Sequence, residues 1–326
     1  MYGYEIFHEK IMTSLIASVR KGHAQHAYIF EGESGIGKEK AAKLFAASLV
    51  CSDSDRAPCG ICPACIGAKA DTNPDIRYIT PGDKKSIGVD VMRDIVSDAY
   101  VRPFESTKKV YIIENGDIIT EQAQNAFLKI LEEPPEYTVF ILMISNTSML
   151  LQTIISRCTV LRFTPVEKRV VREYIKNNYP DADSDFLANY AEGNPGRADE
   201  AMAREDFFEL RRMSFKMLTP LLSKRKISAY QTVEFLEEHA DCFLEIVEFW
   251  QSMVRDIIFI QNDAQKAIIN SDMASELSAI ASKAPPKLAF VAEKHLQKAA
   301  DMKRRNVAFR ALILNLALSI KKEAYE

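Results

Sequence analysis

Glycine and proline are scarce in this chain, at 12 and 13 of 326 residues, and tryptophan occurs once. That scarcity excludes a collagen-like or low-complexity chain. Hydrophobic and charged fractions of 47% and 27% supply enough apolar material to exclude disorder. Long apolar runs are missing too. The stretches around Ile144 and over Ala311–Ile320 are too short or too interrupted to cross a bilayer, which takes about 20 residues. The opening residues, Met1 to Lys10, have neither the basic segment nor the apolar segment of a secretory signal. Neither charge sign dominates: the formal net charge is −3, so no bulk attraction to nucleic acid is expected. These absences predict a soluble, cytoplasmic protein with no membrane segment. At roughly 100–200 residues per domain, it has two or three domains.

Cysteine is present but unevenly placed. Cys51, Cys59, Cys62 and Cys65 crowd together, while Cys158 and Cys242 stand alone. Without an export signal, a disulfide framework fits poorly and a metal site fits better. The spacing Cys51-x7-Cys59-x2-Cys62-x2-Cys65 supplies the four thiolates that tetrahedral structural Zn2+ requires. Gly60 and Pro63 suit the turns between them. A redox Cys-x-x-Cys is a rival reading, which the third and fourth cysteines fit poorly; free structural thiols are another. With four coordination positions filled and none left for water, the expected role is structural.

The chain divides by style. Ala27–Glu31 is a short apolar run that leads into Gly32-Glu-Ser-Gly-Ile-Gly-Lys38, and a helical pattern follows with Ala41, Leu44, Phe45, Ser48 and Leu49 on one face. Further strands are predicted over 75–79, 109–113, 138–144 and 160–163, with helices over 90–100 and 121–133, the latter stopped by Pro134-Pro135. The runs at 109–113 and 138–144 lack alternation, which predicts strands buried on both faces. Strands alternating with helices predict a parallel sheet covered on both sides. After Pro165 no strand is expected. Short helices over 166–204 are punctuated by Pro180 and Gly193-Asn-Pro-Gly196, and long amphipathic helices follow from about Phe207. Three domains are expected: α/β over 1–165 with a metal module at about 51–65, small helical over 166–205, and all-helical over 206–326.

Gly32-x-x-x-x-Gly37-Lys38, between a strand and a helix, is the P-loop pattern, with Gly35 inside it. Backbone N–H groups wrap phosphate oxygens, the helix N-terminus adds positive potential, and the lysine neutralises charge. A plain helix-capping turn is the bland alternative. The next residue, however, is Glu39 instead of the Ser or Thr that would offer a hydroxyl to Mg2+. The strand ending at Ile113 is followed by Glu114 and Asn115, where a hydrolase needs an Asp for the metal and a Glu to orient water. Asn115 cannot serve as a base near neutral pH. Glu114 could reach a metal through its extra methylene, whereas Asp117 lies too far along to substitute. Two defects in one site predict little ATP hydrolysis, and even ATP binding is in doubt.

The segment Glu121-Gln-Ala-Gln-Asn-Ala-Phe-Leu-Lys-Ile-Leu-Glu-Glu-Pro-Pro135, then Ser145-Asn146 after an apolar strand, then Ser156-Arg157-Cys158, resembles the clamp-loader branch of the AAA+ ATPases, the DNA polymerase III subunits of bacteria. His26-Ala-Tyr-Ile-Phe30 and Asn306-Val-Ala-Phe-Arg310 fit the same family, and the resemblance spans essentially the whole chain. It implies an AAA+ domain, a helical lid and a helical collar, in a five-membered ring with gamma/tau and delta subunits that loads a sliding clamp on primed DNA. The resemblance also implies a zinc module after the P-loop helix. Asn146 and Arg197 fall at the sensor 1 and sensor 2 positions, where a surface role for Arg197 is equally open. Arg157 falls at the position of an arginine finger that acts on the next subunit's nucleotide, with a plain interface or surface arginine as the alternative. The degraded nucleotide motifs favour a hydrolysis-deficient stator over a competent gamma/tau-like ATPase. A stand-alone zinc-dependent DNA-binding protein is a third reading, weakened by the missing basic stripe. Trp250 and the apolar stripes over 207–326 are expected to pack, and Lys303-Arg304-Arg305 to form a solvated helix face, with DNA contact as the alternative.

Overall fold

A computed structural model of the chain describes residues 7–82, 86–223, 228–305 and 307–325. Met1 to Ile6, the first part of the stretch read above for a signal, and Asn306 lie outside the described residues. The chain forms two compact units. One runs to Tyr174 and takes in Gly193–Gly196; the other comprises Ile175–Glu192 and Arg197 onward.

The first unit is built on five parallel strands: β1 (Ala27–Glu31), β2 (Ile76–Ile79), β3 (Lys109–Ile113), β4 (Thr138–Ile144) and β5 (Thr159–Arg162), in the order β2-β3-β4-β1-β5. Every residue of β3 and β4 is buried, as a central strand covered on both faces demands. Successive side chains leave the sheet on opposite sides. Phe30, Ile112 and Ile141 therefore pack under α1 (Glu9–Arg20) and α2 (Lys38–Val50), on the same face as α3 (Pro63–Lys69). Ile29, Tyr111 and Phe140 pack on the other face under α4 (Val89–Ala99), α5 (Glu121–Glu132) and the short α6 (Gln152–Ile155).

The structure differs from the sequence reading in three places. Helix α1 was not anticipated, although its Met12 and Leu15 are buried at helical spacing. Helix α2 does not bury a single face: Ala41, Ala42 and all residues from Leu44 to Val50 are inside, because α1 and α3 cover its outer side. Strand β2 begins at Ile76, one residue later than read; Asp75 just before it is buried, its backbone carbonyl accepting from the Val110 N–H at 2.8 Å while its carboxylate accepts the N–H groups of Phe104, Glu105 and Ser106.

Helix α7 (Lys168–Asn178) crosses the unit boundary. The second unit continues through α8 (Ser184–Tyr190), α9 (Pro195–Ala203, entered from the first unit), α10 (Phe207–Leu222), α11 (Ser228–Glu238), α12 (Phe243–Gln261), α13 (Ala274–Ala281), α14 (Pro286–Arg304) and α15 (Phe309–Tyr325). Its described residues contain no strand. Trp250 is fully buried and satisfies its indole N–H on the Ser214 carbonyl at 2.7 Å. Buried Arg211 pairs with Asp272 at 2.7 Å and lies 3.7 Å over the Phe186 ring. Among the described residues, no helix is long and apolar enough to cross a membrane.

Candidate functional site

Strand β1 and helix α2 present the glycine loop between them. Gly35 and Gly37 take φ of +78° and +101°, a region closed to most side chains, so the loop's curvature requires glycine there. Lys38 opens α2, and its Nζ donates to the carbonyls of Gly32 and Glu33, the latter at 2.8 Å. Burial lowers its pKa, opposed by the charges of Asp117 and Glu33. Gly32, Gly35, Gly37 and Lys38 thus lie together in this one loop.

The residues around the loop are occupied with one another. Glu39 is mostly exposed and pairs along its own helix with Lys43 at 3.1 Å, and Lys43 also reaches Asp71 at 3.0 Å. Burial, then the charge of Glu39, raises the pKa of Glu114. Asn115 adopts a left-handed φ of +50° and opens the 3-10 turn Gly116–Ile118. That turn gives Asp117 a place the linear sequence did not show. Its carboxylate accepts from the N–H of Ser145 at 2.7 Å, the Ser145 hydroxyl at 2.8 Å and the Asn146 N–H at 3.2 Å, and its charge bears on Lys38. Asn146, just past β4, turns its own side-chain oxygen to the Ser148 N–H at 2.9 Å. Glu31, at the end of β1, accepts from the Thr147 N–H at 3.0 Å and pairs with Arg162 at 3.1 Å.

Arg157 follows α6. Its guanidinium is partly exposed and donates to Glu132 at 2.8 Å and to the Thr153 carbonyl at 2.9 Å. Arg197 belongs to the second unit, where it pairs with Glu192 at 3.2 Å and lies 5.1 Å from the Tyr190 ring. Sequence reasoning missed His8 and Asn194, both of which hydrogen-bond to the glycine loop. Asn194 stood within the turn signal Gly193-Asn-Pro-Gly196, but nothing in the linear sequence indicated its target.

The four clustered cysteines converge. Their sulfurs all lie within 4.8 Å of one another, against about 3.8 Å in a tetrahedron of 2.3 Å metal–sulfur bonds. Cys51 ends α2, and Cys62 caps the start of α3. The N–H groups of Asp53 and Cys59 point at Cys51 Sγ, and that of Cys65 at Cys62 Sγ, each at 3.4 Å. Such donors favour thiolates. Burial works to raise Cys62, yet donors from Ser52 and Cys65 bring it down to about 6, while burial pushes Cys65 up to about 12. Four soft sulfurs at this separation, two of them buried, form a donor set that fits a metal ion.

The five-stranded parallel sheet, the glycine loop between β1 and α2, and the all-helical C-terminal part define an AAA+ P-loop protein. The family described as "DNA polymerase III, delta subunit" matches residues 7–167, and its C-terminal counterpart matches residues 205–318. The delta-prime subunit of DNA polymerase III from Bacillus subtilis is 32% identical over 272 residues, 81% of each chain. That from Haemophilus influenzae is 32% identical over 194 residues, 59% of each. The Bacillus subtilis tau subunit is 36% identical over 164 residues, but these make up half of this chain and 29% of tau. The chain belongs to the DNA polymerase III delta-prime family and is a clamp-loader subunit. The likeness to tau stops at half the chain, whereas the delta-prime likeness runs through both parts, which decides against the gamma/tau-like alternative.

Proposed function

We propose that this chain is a hydrolysis-deficient stator of the clamp loader, lending an arginine to a neighbouring ATPase subunit. The carrying observation is the loop itself: its glycine cradle and lysine are intact, while Glu39 occupies the Mg2+-hydroxyl position and Asn115 the base position. Glu39 is paired with Lys43, and Glu114 sits half-buried beside a second carboxylate, a poor setting for a metal-bound triphosphate. Gly32, Gly35, Gly37, Lys38, Asn146 and Arg197 are on this reading a vestigial nucleotide set.

Arg157 is the residue assigned to the neighbour. Its planar guanidinium always carries charge and binds two phosphate oxygens at once. Its partly exposed pair with Glu132 is the kind of contact an incoming phosphate can replace. The cluster Cys51, Cys59, Cys62 and Cys65 is proposed to hold structural Zn2+, which would crosslink the end of α2 to α3. The proposed setting is a cytoplasmic five-membered ring with gamma/tau and delta subunits, acting on the sliding clamp and primed DNA. Within it, residues 1–165 serve as the AAA+ domain, 166–205 as the lid and 206–326 as the collar.

A steady-state ATPase measurement tests the reading. The purified chain should show no turnover above background. Adding gamma/tau subunits should yield activity that does not depend on Lys38 of this chain. Turnover by the isolated chain, abolished by Lys38→Ala, would falsify it.

A further inference from the structure

The glycine loop is gripped from outside by donors of the chain itself. Its five consecutive carbonyls, Gly32 to Ile36, each accept a hydrogen bond from beyond that stretch. Lys38 Nζ serves Gly32 and Glu33. Asn194 Nδ2 donates to Ser34 at 2.8 Å, the Gly196 amide to Gly35 at 3.0 Å, and His8 Nε2 to Ile36 at 2.9 Å. The donors thus come from the start of α2, from the turn Gly193–Gly196 and from the residue before α1. The turn is itself notable in the chain's course. Residues 175–192 and 197 onward belong to the second unit, and only these four residues return to the first.

The approach is close enough to need glycine on both sides. A Cβ at Gly196 would stand 2.4 Å from the Gly35 Cα, and one at Gly35 would stand 2.9 Å from Asn194 Oδ1. Phe7 closes over the third glycine, with its ring carbon 2.9 Å from where a Gly37 Cβ would be. His8 is fixed in turn by an edge-on contact with Phe163, their ring centroids 4.8 Å apart. Backbone carbonyls in a tight loop must find donors, and solvent ordinarily supplies them. Here the protein does.

We infer that the phosphate loop has become a lock: Lys38, His8 and the Gly193–Gly196 turn hold it in one conformation with or without nucleotide. Lys38 acts as a structural cation of the loop and not first as a phosphate ligand. The inference rests on the stator reading and deepens it, by naming the contacts that keep nucleotide state from reaching the chain beyond residue 196. The lock is cooperative, because each donor positions the same short loop for the others.

Thermal unfolding of the full chain, stripped of nucleotide, tests this. Lys38→Met and Asn194→Ala should each lower the midpoint by about 2–4 °C. In the Lys38→Met background the Asn194→Ala change should cost much less, since the loop is already released. Amide exchange of Gly196 reads the turn directly. Millimolar MgATP should leave it unchanged in the wild type, while Lys38→Met should speed it about tenfold. Gly196→Ala, which forces the backbones apart, should speed exchange through 193–197; should it fail to fold, Asn194→Ala carries the test. A Lys38→Met midpoint at or above wild type overturns the lock. So does simple additivity of the two changes, or faster Gly196 exchange on adding MgATP. ATP turnover by the same preparation would sink the stator reading while leaving the melting comparison standing, so the two failures are read apart.

Discussion

The glycine loop and the cysteine cluster sit at opposite ends of one helix, α2, which runs from Lys38 to Val50 with Cys51 as its C-cap. They have kept opposite things. At the loop the backbone shape survives, with Gly35 and Gly37 at positive φ, while on the proposed reading Glu39 and Asn115 stand where the groups for chemistry would be. At the cluster all four donors are present and convergent. The contrast teaches how to read a damaged motif. A shape can persist because neighbouring carbonyls and glycines depend on it, even where its ligand chemistry has gone. A complete donor set is harder to explain without a ligand, since four buried or half-buried thiols gain little from packing together alone.

The largest expected effect lies outside both regions. If the loop has surrendered its own chemistry, the subunit's catalytic contribution must come through another residue, and Arg157 is the one assigned. Arginine fingers supplied in trans are worth ~10³–10⁵ in rate in P-loop systems. Arg157→Ala should therefore cut hydrolysis at the adjacent ATPase site by about a thousandfold or more, while leaving ring assembly and metal content intact. Arg157→Lys should rescue poorly, because an ammonium keeps the charge and loses the fork. DNA- and clamp-stimulated ATPase of the assembled complex is the measurement, and a wild-type rate for Arg157→Ala would make this a surface arginine.

The next effect tests the other side of the contrast. Purified in reducing, chelator-free buffer, the chain should carry one zinc, and Cys59→Ser with Cys62→Ser should lose it. A ligand that binds only the folded state stabilises by about 4 kcal/mol when free metal exceeds Kd a thousandfold, so the double variant should be destabilised on that order. Elemental analysis without zinc, or full metal content in the double variant, would remove the cluster from the comparison.

Much of this was legible in the sequence, and the reasons are local. The runs over 109–113 and 138–144 read as central strands because burial on both faces removes polar alternation, and β3 and β4 are buried throughout. The cysteines could be read from spacing because turns of fixed length place them. Asp117 was set aside for its distance along the chain, yet the 3-10 turn at 116–118 swings it back to Ser145 and Asn146. His8 and Asn194 meet the loop across 28 and 160 residues of sequence. No periodicity encodes contacts of that range. The departures Glu39 and Asn115 were visible, but what holds the loop in their company was not.

The smallest expected effect supplies a control: a charge cluster in the same sheet with a purely structural task. Asp98 lies at the end of α4, where Tyr111 Oη donates to it at 2.6 Å, and Arg77 and Lys109 pair with it at 2.6 and 3.0 Å. Burial works to raise its pKa, but the Tyr111, Arg77 and Lys109 contacts prevail and hold it down at about 2. The folded pKa is thus below the unfolded value of about 3.9. A depressed carboxyl contributes its stability fully above the unfolded pKa and loses it as pH falls through the folded one. The window is therefore about pH 4 down to about 2. Its side chain keeps 30% of its exposure, so solvent screening trims the contribution, leaving about 1–2 kcal/mol. Urea unfolding of wild type and Asp98→Asn across that range should show the gap between them narrowing as pH drops, because protonation removes from the wild type what the substitution has already removed. Parallel curves would mean that the Asp98 contacts carry no net charge energy. That result would also weaken the argument for the loop, where Lys38 is likewise held by surrounding oxygen atoms and assigned a structural duty.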